Sequence, residues 1–208
     1  MFKLDHLMLG VSDLAMGVAQ LEAAVGVRAQ FGGRHPHHGT HNALASLGDG
    51  VYLELIAPDP AAAALDARLA PIAEFPSLTP YLWIAAVPET QDLGEVERIF
   101  SARGVRMSGA QAGSRVRADG VALAWQTLWV LEPTDPLVPF FIRWERATPH
   151  PSATAPRGVS LRDFRLETPD PVALGDLVRR LDLDVAVATG SKPRIVVELE
   201  GPAGRLEL

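Results

Sequence analysis

Short apolar runs alternate along this chain with segments in which apolar residues recur at helical spacing. The apolar run 5–11 predicts a strand, and the residues after it predict one face of an amphipathic helix. The apolar residues of this helix are Leu14, Val18, Leu21 and Val25. Ser12 or Asp13 is suited to cap the start of the helix, and Gly26 is suited to end it. Two later apolar runs, 40–47 and 51–57, predict strands joined by a tight turn at Gly48-Asp49-Gly50.

The same order, a strand followed by a helix and then further strands, recurs twice more. The second stretch has strands at 81–87, 122–131 and 139–144 and a helix from Leu93 to Phe100 that ends at Gly104. The third has strands at 160–167, 195–199 and 205–208 and a helix that Asp170 caps. Residues 146–158 are rich in Pro, Ala, Ser and Thr and predict a linker. We therefore divide the chain into segments 1–60, 78–146 and 158–208.

Two of the predicted strands carry an ionisable residue among apolar ones. His6 lies in the first strand, and Glu54 lies in the strand 51–57. An ionisable side chain in a buried strand is costly unless it is paired or bound to something. Alternation along the strand places Tyr52, Glu54 and Ile56 on one face. The pattern therefore predicts a metal or substrate site on a sheet face that includes His6 and Glu54.

Composition narrows the functional classes. The chain has 208 residues, a formal net charge of −6 and no cysteine. An acidic chain without a basic stripe argues against a nucleic-acid partner, and the lack of cysteine excludes disulfides and thiolate sites. We see neither a signal-peptide pattern nor an apolar run long enough to cross a membrane. We therefore expect a cytoplasmic protein with no membrane partner.

Four stretches of the sequence resemble the vicinal oxygen chelate superfamily, in its glyoxalase-like branch (the glyoxalase, bleomycin resistance and dioxygenase group). These are Asp5-His6-Leu7, Gly32–Pro36, Gly39–Leu44 and Tyr52–Pro58, and weaker matches follow at Arg115–Gly120 and Pro139–Trp144. The resemblance implies an α+β fold of repeated βαβββ modules, which form curved, cup-shaped mixed sheets with the helices packed outside. The three segments would be such modules, the third one shorter, packed as one or two glyoxalase-like domains.

The resemblance also implies a divalent metal ion in the cup, held by the first and last strands of each module. Carried over to this chain, the ligands are His6 and Glu54, and imidazole with carboxylate suits Zn, Ni, Fe, Mn or Mg. The second module offers Trp83 and the cation Arg143 at the matching positions. A third ligand would therefore come from Glu207, which matches Glu54 in the third module, or from His41.

Other polar and aromatic residues are candidates for contacting a substrate. Arg143, Arg115 and Arg117 are suited to hold an anionic group, with a solvated strand edge as the alternative for the last two. His35 and Asn42 would shape a loop or contact the substrate. Trp125 would be either a core residue or part of the cup wall.

These features lead to one main functional hypothesis and two alternatives. The first is a metal-dependent enzyme for a small carbonyl or vicinal-oxygen substrate, of isomerase, lyase or dioxygenase type, with Glu54 and His6 as the catalytic residues. The second is a metal-free protein of the same fold that binds or sequesters a small molecule. The third is a scaffold, a homodimer formed through exposed sheet edges.

Overall fold

The computed structural model describes residues 1–48, 50–117, 120–133 and 135–208, which form two main sheets and four helices. The turn residue Asp49, and Ala118 and Asp119 of the stretch Arg115–Gly120, lie outside the described residues. In the described part of the chain, no helix is long and apolar enough to cross a membrane.

The larger sheet has eight strands, four from the beginning of the chain and four from its middle. The first four are β1 (Lys3–Gly10), β2 (Gln30–His35), β3 (Thr40–Gly48) and β4 (Val51–Pro58). The other four are β5 (Thr79–Ala86), β7 (Gln111–Val116), β8 (Ala122–Leu128) and β10 (Phe140–Trp144). Their order in the sheet is β2-β3-β4-β1-β5-β10-β8-β7. β6 (Arg106–Met107) and β9 (Val130–Glu132) form a separate two-stranded ribbon.

The eight strands have an internal symmetry in their pairing. β1 pairs in parallel with β4, the last strand of its own group, and β5 pairs in parallel with β10. The two groups meet where β1 and β5 pair antiparallel at the centre of the sheet. The sheet curves until its edge strands approach, so that Gly33 of β2 lies beside Arg115 of β7. This confirms the predicted α+β class and the cup-shaped sheet.

The last part of the chain forms a second sheet of four strands in the order β12-β11-β13-β14. The strands are β11 (Ser160–Thr168), β12 (Ala186–Thr189), β13 (Arg194–Gly201) and β14 (Gly204–Glu207). Here β11 lies between β12 and β13 and does not pair with the last strand, β14. The third segment thus has the same order of elements as the first segment but a different strand pairing.

The convex face of the large sheet carries the main core. It is covered by helices and by the second sheet, which brings Phe164 within 5.3 Å of Trp83 between ring centres. The helices that contribute to this core are α1 (Leu14–Val25), α2 (Leu93–Ala102) and α4 (Pro171–Arg180). The remaining helix is α3 (Pro151–Thr154). Asp13 caps α1 by accepting a hydrogen bond from the backbone of Met16, and Gly26 ends it at φ 76°, a conformation that favours glycine.

The concave face is left open as a cup. A 3-10 helix (Ala67–Glu74) closes one side of it by packing Leu69 and Ile72 against Met8 and Ile56. The predicted linker 146–158 contains α3, which packs against β3 and β4 beside the cup. The sequence pattern did not predict β2, α3 or the 3-10 helix.

Candidate functional site

His6 and Glu54 meet in the cup at the centre of the sheet. They lie on the adjacent parallel strands β1 and β4, and Nε2 of His6 is 3.3 Å from Oε2 of Glu54. The exposed fractions are 3% for His6 and 5% for Glu54, and the imidazole stacks on the ring of Tyr52 at 4.3 Å. The side chains of the two ionisable strand residues are therefore in contact and shielded from solvent.

A β-bulge adds a second carboxylate to this pair. Leu4 pairs with Ala85 and His6 with Ile84, so that Asp5 is an extra residue in β1 relative to β5. Without a bulge, consecutive side chains of a strand point to opposite faces. Here Oδ1 of Asp5 accepts a hydrogen bond from Nδ1 of His6 at 2.7 Å. The imidazole is thus held between two carboxylates, one on each ring nitrogen.

Residues of β2 and β3 complete the contacts of Glu54. Asn42 donates from Nδ2 to Oε1 of Glu54 at 2.6 Å, and its Oδ1 accepts from Nη1 of Arg115 at 3.4 Å. Nε2 of His35 lies 3.4 Å from the same amide nitrogen of Asn42, and Nδ1 of His35 is 3.1 Å from the hydroxyl of Thr40. Both carboxylate oxygens of Glu54 therefore have a partner within the protein.

The last residue of β10 and the segment 146–158 supply the remaining partners of Asp5. Nε2 of His150 donates to Oδ2 of Asp5 at 3.2 Å, and the indole nitrogen of Trp144 donates to the same oxygen at 3.1 Å. Nδ1 of His150 lies 2.7 Å from the hydroxyl of Ser152, at the start of α3. A segment whose composition indicated a linker thus holds one end of the buried network.

The charges in this network stabilise one another. Burial alone would raise the pKa of Glu54, but the hydrogen bonds and charges of its neighbours, His6 first among them, lower it to about 2. Burial alone would lower the pKa of His6, but Asp5 and Glu54 outweigh it and raise that pKa above its usual 6.5. Both ring nitrogens of His6 face carboxylate oxygens, which only accept hydrogen bonds, so these contacts fit a protonated imidazole between two ionised carboxylates.

The other half of the cup has the same strand register but apolar side chains. In the first half, His6 pairs with Tyr52, and Glu54 lies two residues further along β4. In the second half, Ile84 pairs with Phe140, and Ile142 lies two residues further along β10. The positions equivalent to His6, Tyr52 and Glu54 are therefore Ile84, Phe140 and Ile142. In the sequence analysis, Trp83 was aligned with His6 and Arg143 with Glu54. The observed register differs from that alignment by one residue in each strand.

The residues of the cup do not fit a divalent ion held by protein side chains. A catalytic metal usually has three protein ligands, and here Ile84 and Ile142 stand where a second pair would be. Nε2 of His6 and both oxygens of Glu54 have protein partners already. In the described residues, no group of three or more histidine, aspartate or glutamate side chains is arranged to hold a metal.

Five further predicted site residues lie at or beside the cup. Arg115, His35, Asn42 and Trp125 line it. Arg117, two residues along β7 from Arg115, lines a neighbouring chamber of about 300 Å³ and donates to the hydroxyl of Thr154 at 3.1 Å.

Three predicted residues lie elsewhere, for reasons of strand geometry. His41 lies between Thr40 and Asn42, which line the cup, and its ring contacts Phe31 instead. Arg143 likewise lies between two cup-lining residues and donates to Oε1 of Gln126 at 3.1 Å. Glu207 is an exposed residue of β14 in the second sheet. The structure therefore brings neither His41 nor Glu207 to His6 and Glu54.

Sequence reasoning gave no role to Asp5 or His150. Asp5 was missed because strand alternation predicts that its side chain lies on the other face of the sheet from His6. The bulge in β1 brings both side chains to the same face. His150 was hidden by its place in a Pro-rich segment far from the first strand. The one sequence signal for His150 is Pro151 after it, which is a common first residue of a helix.

Comparison with known proteins supports the same architecture. The model of the glyoxalase-like domain family matches residues 4–181. A hypothetical protein from Staphylococcus aureus has a similar structure, with a TM-score of 0.69, 16% identity, and coverage of 100% of this chain and 85% of that one. At this identity the likeness shows the fold alone.

Two epimerase structures are more distantly similar. Methylmalonyl-CoA epimerase from Mycobacterium tuberculosis has a TM-score of 0.44 and 20% identity, covering 69% of this chain and 87% of that one. The Streptomyces coelicolor enzyme, in complex with 2-nitronate-propionyl-CoA, has a TM-score of 0.48 and 18% identity, covering 70% and 95%. TM-scores below 0.5 give no basis for assigning their activity to this chain. No protein with a curated description matches the sequence.

Proposed function

Because this chain belongs to the glyoxalase-like domain family of the vicinal oxygen chelate superfamily, we propose that it binds a small organic molecule in the cup, without a divalent ion held by its own side chains. The observation that carries this proposal is the division of the cup. In the polar half, the side chains of His6, Glu54 and Asp5 contact one another. The facing half is apolar. The cup has a volume of about 250 Å³, just below the usual range of roughly 300–1,000 Å³ for ligand pockets, which suits a small ligand.

The protonation states favour binding over proton transfer. An efficient general acid or base has a pKa near the working pH. The pKa of Glu54 is lowered to about 2, which makes it a weak base, and both ring nitrogens of His6 already face carboxylates. Burial lowers the pKa of His35 to about 4, so that it too is poorly matched to neutral pH. Metal-free binding, the alternative in the sequence analysis, therefore explains the site better than metal-dependent catalysis.

The test combines metal analysis with ligand binding on protein purified without an affinity tag. We expect substoichiometric metal by mass spectrometry and no thermal shift with Zn²⁺, Ni²⁺, Mn²⁺ or Mg²⁺. A panel of small organic molecules should include some that raise the melting temperature. These shifts should disappear in Thr127→Trp, because Thr127 lies on β8 and lines the cup, so that the larger side chain fills it. They should persist in the control Gln126→Trp, because Gln126 lies on the opposite face of β8, next to Arg143.

Two results would overturn the proposal. One is stoichiometric divalent metal that is lost in both His6→Ala and Glu54→Gln, which would restore the metal-dependent enzyme. The other is a set of organic ligands whose thermal shifts are the same in Thr127→Trp as in the wild type, which would place their binding outside the cup.

A further inference from the structure

Arg115 is a buried cation without an ionic partner in the described part of the chain. Its exposed fraction is 7%, and among the described residues its guanidinium has one hydrogen bond, to Oδ1 of Asn42, an uncharged acceptor, at 3.4 Å. No carboxylate of the described residues lies within salt-bridge distance of it, whereas other buried charges of the cup are paired. A guanidinium has five N–H donors in a planar fork that fits a carboxylate. Arg115 therefore has donors left for an anion.

The position of this guanidinium depends on β2 at the facing edge of the sheet. A Cβ atom added at Gly32 would lie 2.8 Å from Nη1 of Arg115, and one added at Gly33 would lie 3.2 Å from it. The guanidinium thus occupies space that two consecutive glycines leave free. It forms part of the wall between the cup and the neighbouring chamber. The arrangement fixes Arg115 at the cup instead of letting it extend into solvent.

Aromatic side chains surround the cup next to this cation. Trp125 lies over Gly113, two residues before Arg115 on the same face of β7, and its indole N–H donates to no described residue. Trp129 stacks on Phe140 at 4.2 Å between ring centres. Flat apolar walls of this kind favour a planar apolar ligand, for which they provide stacking and edge contacts.

The opposite wall limits the ligand to one negative charge. Asp5 and Glu54 place two carboxylates around the single imidazole of His6, so this part of the network is negative overall even when the imidazole carries a proton. Each of its carboxylate oxygens already has a partner within the protein. A second anionic group on the ligand would face this net negative charge in a site of low dielectric.

We propose that the ligand of the cup is a planar aromatic monocarboxylate whose carboxylate binds the Arg115 guanidinium, with the Trp125 N–H as a further donor. This inference rests on the proposed function, since it names the chemical class of the molecule that the cup binds. The aromatic ring lies among the tryptophan and phenylalanine side chains, away from the acidic wall.

The test uses four probes that vary the charge of the acidic group and the aromatic character of the ring. Indole-3-carboxylate is the expected ligand, indole-3-carboxamide removes the charge, cyclohexanecarboxylate removes the aromatic ring, and phenyl phosphate adds a second charge. Isothermal titration calorimetry should show the tightest binding for indole-3-carboxylate. Because hydrogen bonds to charged groups are worth more than neutral ones, the carboxamide should bind roughly 10- to 100-fold more weakly. If phenyl phosphate binds as tightly as indole-3-carboxylate, the inference that the cup accepts only one negative charge is wrong.

Variants assign the effect to Arg115. Arg115→Gln should weaken indole-3-carboxylate roughly 10- to 100-fold and leave the carboxamide nearly unchanged, and Arg115→Lys should give an intermediate loss because the planar fork is absent. Gly32→Ala keeps the arginine but displaces it, and should also weaken the carboxylate selectively. Arg143→Gln, with its guanidinium outside the cup, is the matched control and should change neither probe.

The outcomes separate this inference from the proposed function. Equal binding of the carboxylate and the carboxamide, abolished by Thr127→Trp, would overturn the aromatic-acid inference and leave metal-free binding in the cup intact. Binding of the carboxylate that Arg115→Gln does not weaken, in a variant with the wild-type melting temperature, would also overturn it. Metal-dependent binding of these probes would overturn the proposed function itself.

Discussion

In the half of the cup built by β1 and β4, a histidine and a glutamate form a buried ion pair. In the half built by β5 and β10, Ile84 and Ile142 occupy the equivalent positions of an identical register. The two halves thus share their strand pairing but differ in the polarity of the side chains at these positions. The polar half needed additional partners, namely Asp5 on its bulge, Asn42 and His150, before its charges could be buried.

This difference shows that a buried polar pair needs more supporting contacts than an apolar pair at the equivalent backbone positions. An apolar pair such as Ile84 and Ile142 is stabilised by burial alone. A buried ion pair needs hydrogen bonds to every remaining atom, because desolvation offsets its Coulombic attraction. The polar half therefore depends on distant segments of the chain, whereas the apolar half depends only on its neighbours in the sheet.

The largest expected effect comes from breaking the polar pair. Glu54→Leu leaves the charged His6 with one carboxylate and removes the acceptor of Asn42, and we expect a loss of about 3–5 kcal/mol in the free energy of unfolding. The double variant His6→Ile/Glu54→Ile copies the apolar half and should recover most of that loss. Urea denaturation monitored by circular dichroism measures both.

Glu207→Leu is the matched control for this experiment, because Glu207 is exposed on β14. It should change the free energy of unfolding by less than about 0.5 kcal/mol. If the double variant is as unstable as Glu54→Leu, the two halves are not interchangeable in the way that their register indicates.

The next effect comes from making the apolar half polar. Ile84→His/Ile142→Glu places a second imidazole and carboxylate at positions equivalent to His6 and Glu54. Two more donors approach a complete ligand set, and we expect Zn²⁺ to bind on the order of 100-fold more tightly than to the wild type. Calorimetric titration of both proteins measures this. No gain in affinity would show that the equivalent positions do not converge on one point.

The pH dependence distinguishes two histidines within the polar half. The pKa of His6 is raised above 6.5, so its contribution to stability is complete below pH 6.5 and is lost as the pH rises through the folded value. The pKa of His35 is lowered to about 4, so its contribution is present above pH 6.5 and is lost as the pH falls towards 4. Glu54, whose pKa is about 2, loses its contribution between about pH 4.5 and pH 2.

Urea denaturation of the wild type between pH 2 and pH 9 should therefore give a stability maximum near neutral pH. His6→Gln should flatten the alkaline side of the curve, and His35→Gln should flatten the part between pH 6.5 and pH 4. An alkaline side that persists unchanged in His6→Gln would mean that His6 is not protonated in the folded protein.

The smallest expected effect concerns the segment that reaches the polar half from outside the sheet. His150→Ala removes one of three hydrogen-bond donors to Asp5 and should cost about 1 kcal/mol in the free energy of unfolding. The same substitution at His37, a position in the loop between β2 and β3, is the control and should have almost no effect. Equal changes in the two variants would show that His150 contributes no more than a loop residue.

The sequence was sufficient to predict most of the elements and the central pair. The helix Leu14–Val25, its cap Asp13 and the strand with Glu54 follow from periodicity and from the residues that start and end helices. Contact between His6 and Glu54 follows from the rule that buried charges are paired. β2 was missed because Gln30–His35 has two glycines and little apolar alternation.

The rest of the site depends on register, which a single sequence does not specify. Whether Trp83 or Ile84 faces the cup is a difference of one residue, and such a shift exchanges the two faces of a strand. For this reason the side chains of Arg143 and His41 contact Gln126 and Phe31 and do not line the cup. Asp5 was missed because the prediction assumed regular alternation of side chains along β1, and the bulge interrupts that alternation.

The positions of the tryptophans give the unmodified protein an optical reporter. Three of its four tryptophans, Trp125, Trp129 and Trp144, line the cup, and Trp83 is buried on the opposite face with an exposed fraction of 1%. Indole emission shifts in wavelength and intensity with the polarity of its surroundings. Filling or emptying the cup should therefore change most of the intrinsic fluorescence, against a constant contribution from Trp83, without any attached dye.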